Sequence, residues 1–286
     1  MKKILFHITR DMYPLLKDRH PYIYLEHGRL EVDDSSIKWI SADNYVVRIP
    51  CAMISTLLLG PGTSITHAAV QAIGASGCII CWVGEESLSF YSVGFPPTAD
   101  TRKLYRQCNL AFDPEKRTIV ARRMFSKRFP GVDLTGRTLQ SMMGMEGVRV
   151  RAFYSEMSEK YGIEWRGRSY VPGCPEKSDS VNRALTFFNG LLYGISSSAI
   201  FSAGYTPRIG FIHSVSPLPF TYDLADLYKS CLSVELAFKI VSEKVNVFDR
   251  SALIEAFRVK RTDKLVRTLF LLPRSPNNTY HFIARR

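Results

Sequence analysis

A proline-rich break at Gly94-Phe95-Pro96-Pro97 divides the chain into two parts whose apolar residues repeat differently. Before the break, short apolar runs separated by turn residues are typical of β-strands. After it, apolar residues recur every three or four positions, which is typical of helices. The chain is therefore predicted to have an α+β fold. We expect a small β-rich N-terminal domain over residues 1–95, followed by an all-α helical domain over residues 96–286.

The N-terminal part is predicted to form a small, mostly antiparallel sheet. Its strand candidates are residues 22–25, 30–32, 37–40, 45–49 and 54–59, with further strands around Cys81 and at Phe90-Tyr91. His27-Gly28-Arg29 is predicted to be a hairpin turn between the first two strands, and Ala42-Asp43-Asn44 a second turn. A short helix is predicted after the fifth strand, with Thr63, Ser64 or Thr66 as its N-cap.

Six helices are predicted after the break. They span residues 102–112, 114–129, 139–161, 179–203, 222–241 and 249–269. Pro114 after Asp113 is a favourable helix start, and so are Asp179 and Asp249 ahead of their apolar runs.

Composition points to a core-forming protein with a polyanionic partner. The chain has 286 residues, 46% of them hydrophobic, and a formal net charge of +12. Such a charge favours a polyanionic partner such as nucleic acid or an acidic membrane. The basic excess is concentrated in residues 101–130 and 250–286, each with nine Lys or Arg against two acidic residues. On helices these stretches can form stripes that follow a phosphate backbone, and solvated helix faces are the alternative.

Neither a membrane span nor a signal peptide is expected. No apolar run reaches the roughly 18 residues of a spanning helix. Arg10, Asp11, Lys17 and Asp18 interrupt the N-terminal segment where an apolar signal region would lie. We therefore expect a cytoplasmic protein that does not associate with membranes.

The cysteines predict packing and not chemistry. Six cysteines in a chain of this length do not indicate a disulfide framework. Cys78 and Cys81 form a C-x-x-C pair, which zinc and redox sites also use. The pair lies inside an apolar run and no second pair follows, so strand-core cysteine is the better interpretation.

Residues 210–229 contain the strongest candidate for chemistry. His213 precedes a proline-containing loop, and Asp223 and Asp226 lie three residues apart at the start of a predicted helix. Residues three apart share a helix face, and an imidazole with carboxylates can hold a hard divalent cation for phosphodiester chemistry. The alternatives are a core histidine, an N-cap at Asp223 and an exposed helix acid at Asp226. A carboxylate amid the apolar neighbours of Asp226 favours charge compensation by a cation.

Glu146 is the second candidate. It lies in the predicted helix 139–161 with Gly144 and Gly147 on either side. Each helix-interior glycine costs about 1 kcal/mol relative to alanine. This cost indicates close approach by a backbone or a ligand, and the alternative is tight helix packing beside a surface glutamate.

These motifs resemble the integrase family of CRISPR adaptation, the first of the CRISPR-associated proteins, in the version found with type I-E systems. The matching segments are residues 16–19, 60–63, 66–70, 82–85, 144–147, 193–194, 203–205 and 210–229. They run through nearly the whole chain in order. The glutamate motif and the last segment are the most specific of them.

The resemblance implies a catalytic helical domain and an asymmetric homodimer. By the family pattern, Glu146, His213 and Asp226 would bind Mg²⁺ or Mn²⁺, and Asp223 would be an acidic neighbour needed for full activity. Two dimers would bracket a dimer of the small second adaptation protein, which gives a four-to-two heterohexamer. The assembly would join a prespacer duplex to the leader-end repeat of a CRISPR array.

The resemblance also implies DNA contacts. They would involve His27, Arg29, Tyr170, Tyr193 and Arg250. His27 stands where relatives have a tyrosine that stacks on the end of the duplex, and imidazole stacks with less area.

The implied reaction is transesterification. A prespacer 3′-hydroxyl would attack a repeat phosphodiester, with the metal as Lewis acid. One alternative is a metal-dependent endonuclease that cuts branched DNA with the same residues and water. The other is a noncatalytic DNA-binding scaffold, in which the acids are caps and the histidine is core.

Overall fold

The computed structural model of the chain describes residue 19 and residues 23–33, 36–84, 90–94, 101–169 and 178–259. The strands are β1 (Ile23–Leu25), β2 (Gly28–Asp33), β3 (Ser36–Ser41), β4 (Val46–Ile49), β5 (Thr56–Leu59), β6 (Thr63–Ile65), β7 (Ile79–Val83) and β8 (Phe90–Gly94). The helices are α1 (His67–Ala75), α2 (Arg102–Ala111), α3 (Pro114–Arg128), α4 (Leu139–Tyr161), α5 (Ser180–Ser202), α6 (Pro219–Asp226), α7 (Glu235–Ser242) and α8 (Arg250–Val259). The predicted α+β fold is confirmed, with a β-rich N-terminal part followed by a mostly helical one.

The described strands form two mixed sheets, so the expectation of one mostly antiparallel sheet is wrong. One sheet has the order β1-β5-β7-β8 and the other β4-β3-β2-β6. The β1–β5, β5–β7 and β2–β6 pairs are parallel. All four residues of β5 are buried, as expected of a strand with parallel neighbours on both sides. Short strands with crossovers give few local signals of their partners.

The hairpin predicted at His27-Gly28-Arg29 is also wrong. β1 and β2 belong to different sheets, and the chain passes from one to the other at His27, whose φ is +52°. The His27 N–H donates to the carbonyl of Pro61 at 3.0 Å. The glycine therefore marks a crossing between sheets. The second predicted turn is confirmed, since β3 and β4 pair antiparallel across residues 42–45.

The predicted helix starts are confirmed by their side-chain caps. The Thr66 hydroxyl accepts the Ala69 N–H at the start of α1, whereas Thr63 and Ser64 lie in β6. Asp113, Asp179 and Asp249 cap α3, α5 and α8 in the same way. Each cap satisfies N–H groups that the first helical turn leaves open.

α5 is the central helix of the core. Its apolar residues lie in the main helical cluster with those of α6 and α7. Near its end, Phe201 packs against a sheet cluster formed by Leu58, Ile79, Cys81 and Val83. α5 is long and apolar enough to cross a membrane by composition, but 71% of its apolar window is buried inside the protein. Core packing accounts for its apolar character.

The single helix predicted over residues 222–241 is three segments in the structure. α6 ends at Asp226, a π-helix spans Ser230–Val234, and α7 begins at Glu235. A π-turn widens the helix by one residue and is frequent at functional sites. Here it follows directly after Asp226 and Lys229.

The strand-core interpretation of the C-x-x-C pair is confirmed. Cys78 and Cys81 are buried and belong to different apolar clusters on opposite faces of the sheet. Burial raises the pKa of the Cys78 thiol far above its ordinary value. Two thiols on opposite faces cannot share one metal ion.

Candidate active site

The backbone of residues 211–213 wraps around the carboxylate of Asp223. Asp223 Oδ2 accepts the N–H groups of Phe211 at 2.5 Å and Ile212 at 3.0 Å, and Oδ1 accepts that of His213 at 2.8 Å. The Asp223 side chain is fully buried, so these donors replace water around its charge. α6 begins at Pro219, and the N-cap alternative for Asp223 is therefore wrong.

Gly210 makes this close approach sterically feasible. A Cβ at this position would come within 2.5 Å of the His213 carbonyl oxygen, 2.8 Å of Pro219 Cβ and 2.9 Å of Asp223 Oδ2. Backbone and the buried carboxylate cannot yield that space. The glycine of the motif is thus required by the packing of the loop on α6.

Two helices hold the loop from its other side. Gln107 on α2 donates through Nε2 to the carbonyls of Thr206 at 2.8 Å and Ile209 at 2.6 Å, and its Oε1 accepts the Thr206 N–H at 2.8 Å. Arg117 on α3 donates through Nε to the carbonyl of Phe211 at 2.7 Å. The position of His213 is therefore fixed by α2, α3 and α6 together.

We expect Gln107→Met to destabilise the protein by about 2–4 kcal/mol. Methionine keeps the volume but leaves a buried N–H and two carbonyls without partners. Urea unfolding measures the effect. Gln140→Met, at an exposed position on α4, is the matched control and should stay within about 0.5 kcal/mol of wild type. Equal stability of the two variants would contradict a clamping role for Gln107.

Asp223 also orients the His213 ring. His213 Nδ1 lies 2.7 Å from Asp223 Oδ1, and Nε2 lies 3.9 Å from Asp226 Oδ2. The hydrogen bond to Asp223 raises the pKa of His213 above its ordinary value, against the opposing effect of burial. The His213 side chain is 35% exposed, so the core-histidine alternative is wrong. A histidine held at Nδ1 by a carboxylate has Nε2 free to act as a metal ligand.

Asp226 is a buried acid and not the exposed one of the alternative reading. Its side chain is 10% exposed, and Lys229 Nζ lies 2.6 Å from its Oδ1. This short contact pairs the buried carboxylate with the Lys229 ammonium. Burial by itself would lower the pKa of Lys229, but Asp226 and Tyr193 raise it above its ordinary value.

Glu146 faces the same place from α4. Its side chain is 17% exposed. Its Oε1 accepts a hydrogen bond from Nη1 of Arg128, the last residue of α3. The same Arg128 nitrogen lies 3.5 Å from Asp226 Oδ2. Burial raises the pKa of the Glu146 carboxyl, and the nearby Arg128 opposes this shift.

Contacts run from Glu146 through Arg128 to Asp226, and from Asp226 to His213. Within the described ranges, no three His, Cys, Asp or Glu side chains are grouped closely enough to hold a metal ion as they stand. Arg128 bridges the two carboxylates. The donor set still fits a hard divalent cation in its chemistry, since it offers two carboxylates and an imidazole oriented by Asp223.

In the part of the chain that the structure describes, no other element packs closely against the glycines beside Glu146. A Cβ at Gly144 would meet nothing within 4 Å, and one at Gly147 would touch only the flexible end of Arg151 at 3.7 Å. Neither the close backbone approach nor the tight helix packing considered from the sequence is present among the described residues.

We expect Gly144→Ala to raise the free energy of unfolding by about 0.5–1 kcal/mol, because alanine has the higher helix propensity and meets no clash. Thermal unfolding measures this gain. Ser155→Ala, on an exposed turn of the same helix, controls for a general effect of alanine. A lower stability of Gly144→Ala would show that the helix needs the glycine in this chain.

The predicted DNA-contact residues fall into different places. Tyr193 lies beside the site, with Lys229 Nζ 5.0 Å from its ring centre and the Tyr222 ring edge-on at 5.0 Å. His27 and Arg29 are exposed in the N-terminal part, and Arg29 pairs with Glu31 at 2.6 Å. Arg250 begins α8, where only its backbone is described, and Tyr170 lies outside the described residues.

The sequence prediction missed four residues that shape the site: Gln107, Arg117, Arg128 and Lys229. Arg117 and Arg128 were counted in the basic stretch 101–130 as candidates for a phosphate stripe. The structure turns both toward the site, where they meet loop carbonyls and carboxylates. Charge counting shows how many cations a segment has and not which way they face.

Known proteins are similar to this chain in sequence and in structure. The family model for CRISPR associated protein Cas1 matches residues 130–253, the part that contains Glu146, His213, Asp223 and Asp226. A relative from Chlorobaculum tepidum named CRISPR-associated endonuclease Cas1 2 is 51% identical over 256 residues, which cover 90% of this chain and 86% of the relative. This chain belongs to the Cas1 family.

Other Cas1 proteins are also similar to this chain in sequence and structure. The CRISPR-associated endonuclease Cas1 of Escherichia coli K12 is 36% identical and covers 90% of this chain and 84% of its own length. The crystal structure of a TtCas1–DNA complex superposes with a TM-score of 0.71 at 38% identity and covers 90% of this chain and 97% of TtCas1. The resemblance drawn from the motifs is thereby confirmed at the level of the Cas1 family and its fold.

Proposed function

We propose that this Cas1-family chain is a metal-dependent DNA integrase of CRISPR adaptation. It joins the 3′-hydroxyl ends of a prespacer to the leader-proximal repeat by transesterification. The observation that carries the proposal is the contact chain from Glu146 to His213, in which α4, α6 and the loop before α6 bring their polar groups to one place.

Glu146, Asp226 and His213 Nε2 would hold Mg²⁺ or Mn²⁺. When bound, such a cation acts as a Lewis acid on the scissile phosphate and stabilises the leaving oxygen. Asp223 is a positioning residue, since it fixes both the loop and the Nδ1 side of the His213 ring. Lys229 pairs with Asp226 and so restrains the free side of that carboxylate.

DNA is the proposed substrate and binding partner. The net charge of +12 supports it, and so does the likeness to TtCas1, which was crystallised with DNA. We propose Tyr193 as a DNA contact because it lies beside the site, with Lys229 over its ring and Tyr222 edge-on to it. We also propose a homodimer, a four-to-two heterohexamer with the small second adaptation protein, and a cytoplasmic location.

A strand-transfer assay tests the proposal. The chain, with the second adaptation protein, receives a labelled duplex ending in 3′-hydroxyl groups and a supercoiled plasmid with one repeat. We expect label on the plasmid in Mg²⁺ or Mn²⁺, and none with chelator or with 3′-phosphate ends. Labelled product from the 3′-phosphate duplex would contradict attack by the terminal hydroxyl.

A second candidate is a metal-dependent endonuclease acting on branched DNA. The relatives' name of endonuclease favours it, and it would use the same carboxylates and histidine with water as the nucleophile. The same assay separates the two functions, since a nuclease nicks the plasmid or cuts a branched duplex without transferring label.

The positions of the two acids and the histidine do not support the noncatalytic scaffold. It needs Asp223 as a cap, Asp226 exposed and His213 in the core. Asp223 instead lies within α6, Asp226 is buried, and His213 is partly exposed with Nε2 facing Asp226.

A further inference from the structure

Arg128 occupies the centre of the carboxylate pair. Its Nη1 contacts both Glu146 Oε1 and Asp226 Oδ2, and its side chain is only 10% exposed. Two buried carboxylates this close repel one another unless a cation lies between them. In this structure the guanidinium supplies that positive charge.

The hydrogen-bonding geometry of the Arg128 guanidinium is poor for an arginine between two carboxylates. An arginine that locks carboxylates permanently uses its planar fork, with parallel N–H bonds to two oxygens. Arg128 meets both acids through the same nitrogen, and its buried Nε has no hydrogen-bond partner among the described residues. A contact of this kind neutralises charge without fixing geometry, so a better cation can replace it.

We propose that Arg128 is a built-in counter-cation, which holds Glu146 and Asp226 together in the metal-free protein and must withdraw from them when a divalent cation binds. The inference rests on the proposed function, because it assumes that these acids are metal ligands. Arg128 thereby lowers the cation affinity of the site. Once withdrawn from the acids, the guanidinium would be available to pair with a DNA phosphate.

Mn²⁺ binding, followed by the electron paramagnetic resonance signal of the free ion, tests the inference without a reaction. We expect Arg128→Met to bind Mn²⁺ about tenfold more tightly than wild type, since no ion contact has to be broken. Arg149→Met is the matched control. Arg149 and Arg128 lie over the same Phe129 ring at 5.2 Å and 5.4 Å, and Arg149 is exposed, so its removal should leave the affinity unchanged.

Arg128→Lys covers the case in which the methionine variant does not fold. It keeps a charge between the acids but is shorter than arginine, and we expect its Mn²⁺ affinity to lie between those of wild type and Arg128→Met. Unchanged or weaker Mn²⁺ binding by the folded Arg128 variants would overturn the counter-cation role.

Glu146→Gln separates that failure from a failure of the proposed function. If Glu146→Gln weakens Mn²⁺ binding while the Arg128 variants do not strengthen it, the metal site stands and only the role of Arg128 is wrong. If Glu146→Gln binds Mn²⁺ as wild type does, the acids are not the ligands, and both the proposed function and this inference fail.

Discussion

Glu146→Gln should reduce strand joining at least about a hundredfold in Mg²⁺ or Mn²⁺. Loss of one metal carboxylate removes several kcal/mol of charge stabilisation from the transition state. Glutamine keeps the shape of the side chain and can still bond to Arg128, so the fold and the affinity for DNA should be nearly unchanged. The transfer of labelled duplex to plasmid measures joining, and filter binding measures DNA affinity.

The control for this prediction lies on the same helix. Glu156→Gln removes the same charge from an exposed position of α4 and should join DNA as wild type does. Joining by Glu146→Gln at the wild-type rate would remove Glu146 from the metal site. A parallel loss of DNA affinity would instead assign Glu146 to substrate binding.

Asp223→Ala should lower the free energy of unfolding by about 3 kcal/mol or more. It leaves the N–H groups of Phe211, Ile212 and His213 without their acceptor in a buried loop, and each such loss costs about 1–3 kcal/mol. Joining should fall as well, because His213 loses the partner of its Nδ1. Urea unfolding of the metal-free protein measures the change.

The contrast with Glu146→Gln makes the stability prediction specific. Both residues are acids of the same site, yet only Asp223 accepts backbone N–H groups. We expect Glu146→Gln to stay within about 1 kcal/mol of wild type. If Asp223→Ala were equally stable, the loop would have another acceptor and the positioning role of Asp223 would be wrong.

Local signals in the sequence were sufficient for the order of elements. Asp113, Asp179 and Asp249 were recognised as helix starts because a cap depends only on the next few residues. Local signals give a wrong prediction at His27, because a glycine between two apolar runs is also typical of a hairpin turn. Strand pairing depends on residues that are far apart in the chain. β1, for example, pairs with β5 and not with β2.

In the candidate site, too, the sequence predicts residue types but not the contacts between residues far apart in the chain. Residue type and family motif predict Glu146, His213 and Asp226 as site residues, and the structure brings them into one chain of contacts. The sequence predicts Asp223 as an acidic neighbour but not its contacts with the loop, because those partners are backbone N–H groups that every sequence has. Arg128 was hidden among nine basic residues of one stretch, and only its direction toward Glu146 distinguishes it.

The packing of Phe201 against the sheet has a mechanical consequence. α5 lies in the middle of the helical core, and its Phe201 also packs against the cluster formed by β5 and β7. The β-rich part and the helical part therefore both pack against α5. Packing of Phe201 on the sheet cluster therefore contributes to the placement of the β-rich part against the helices.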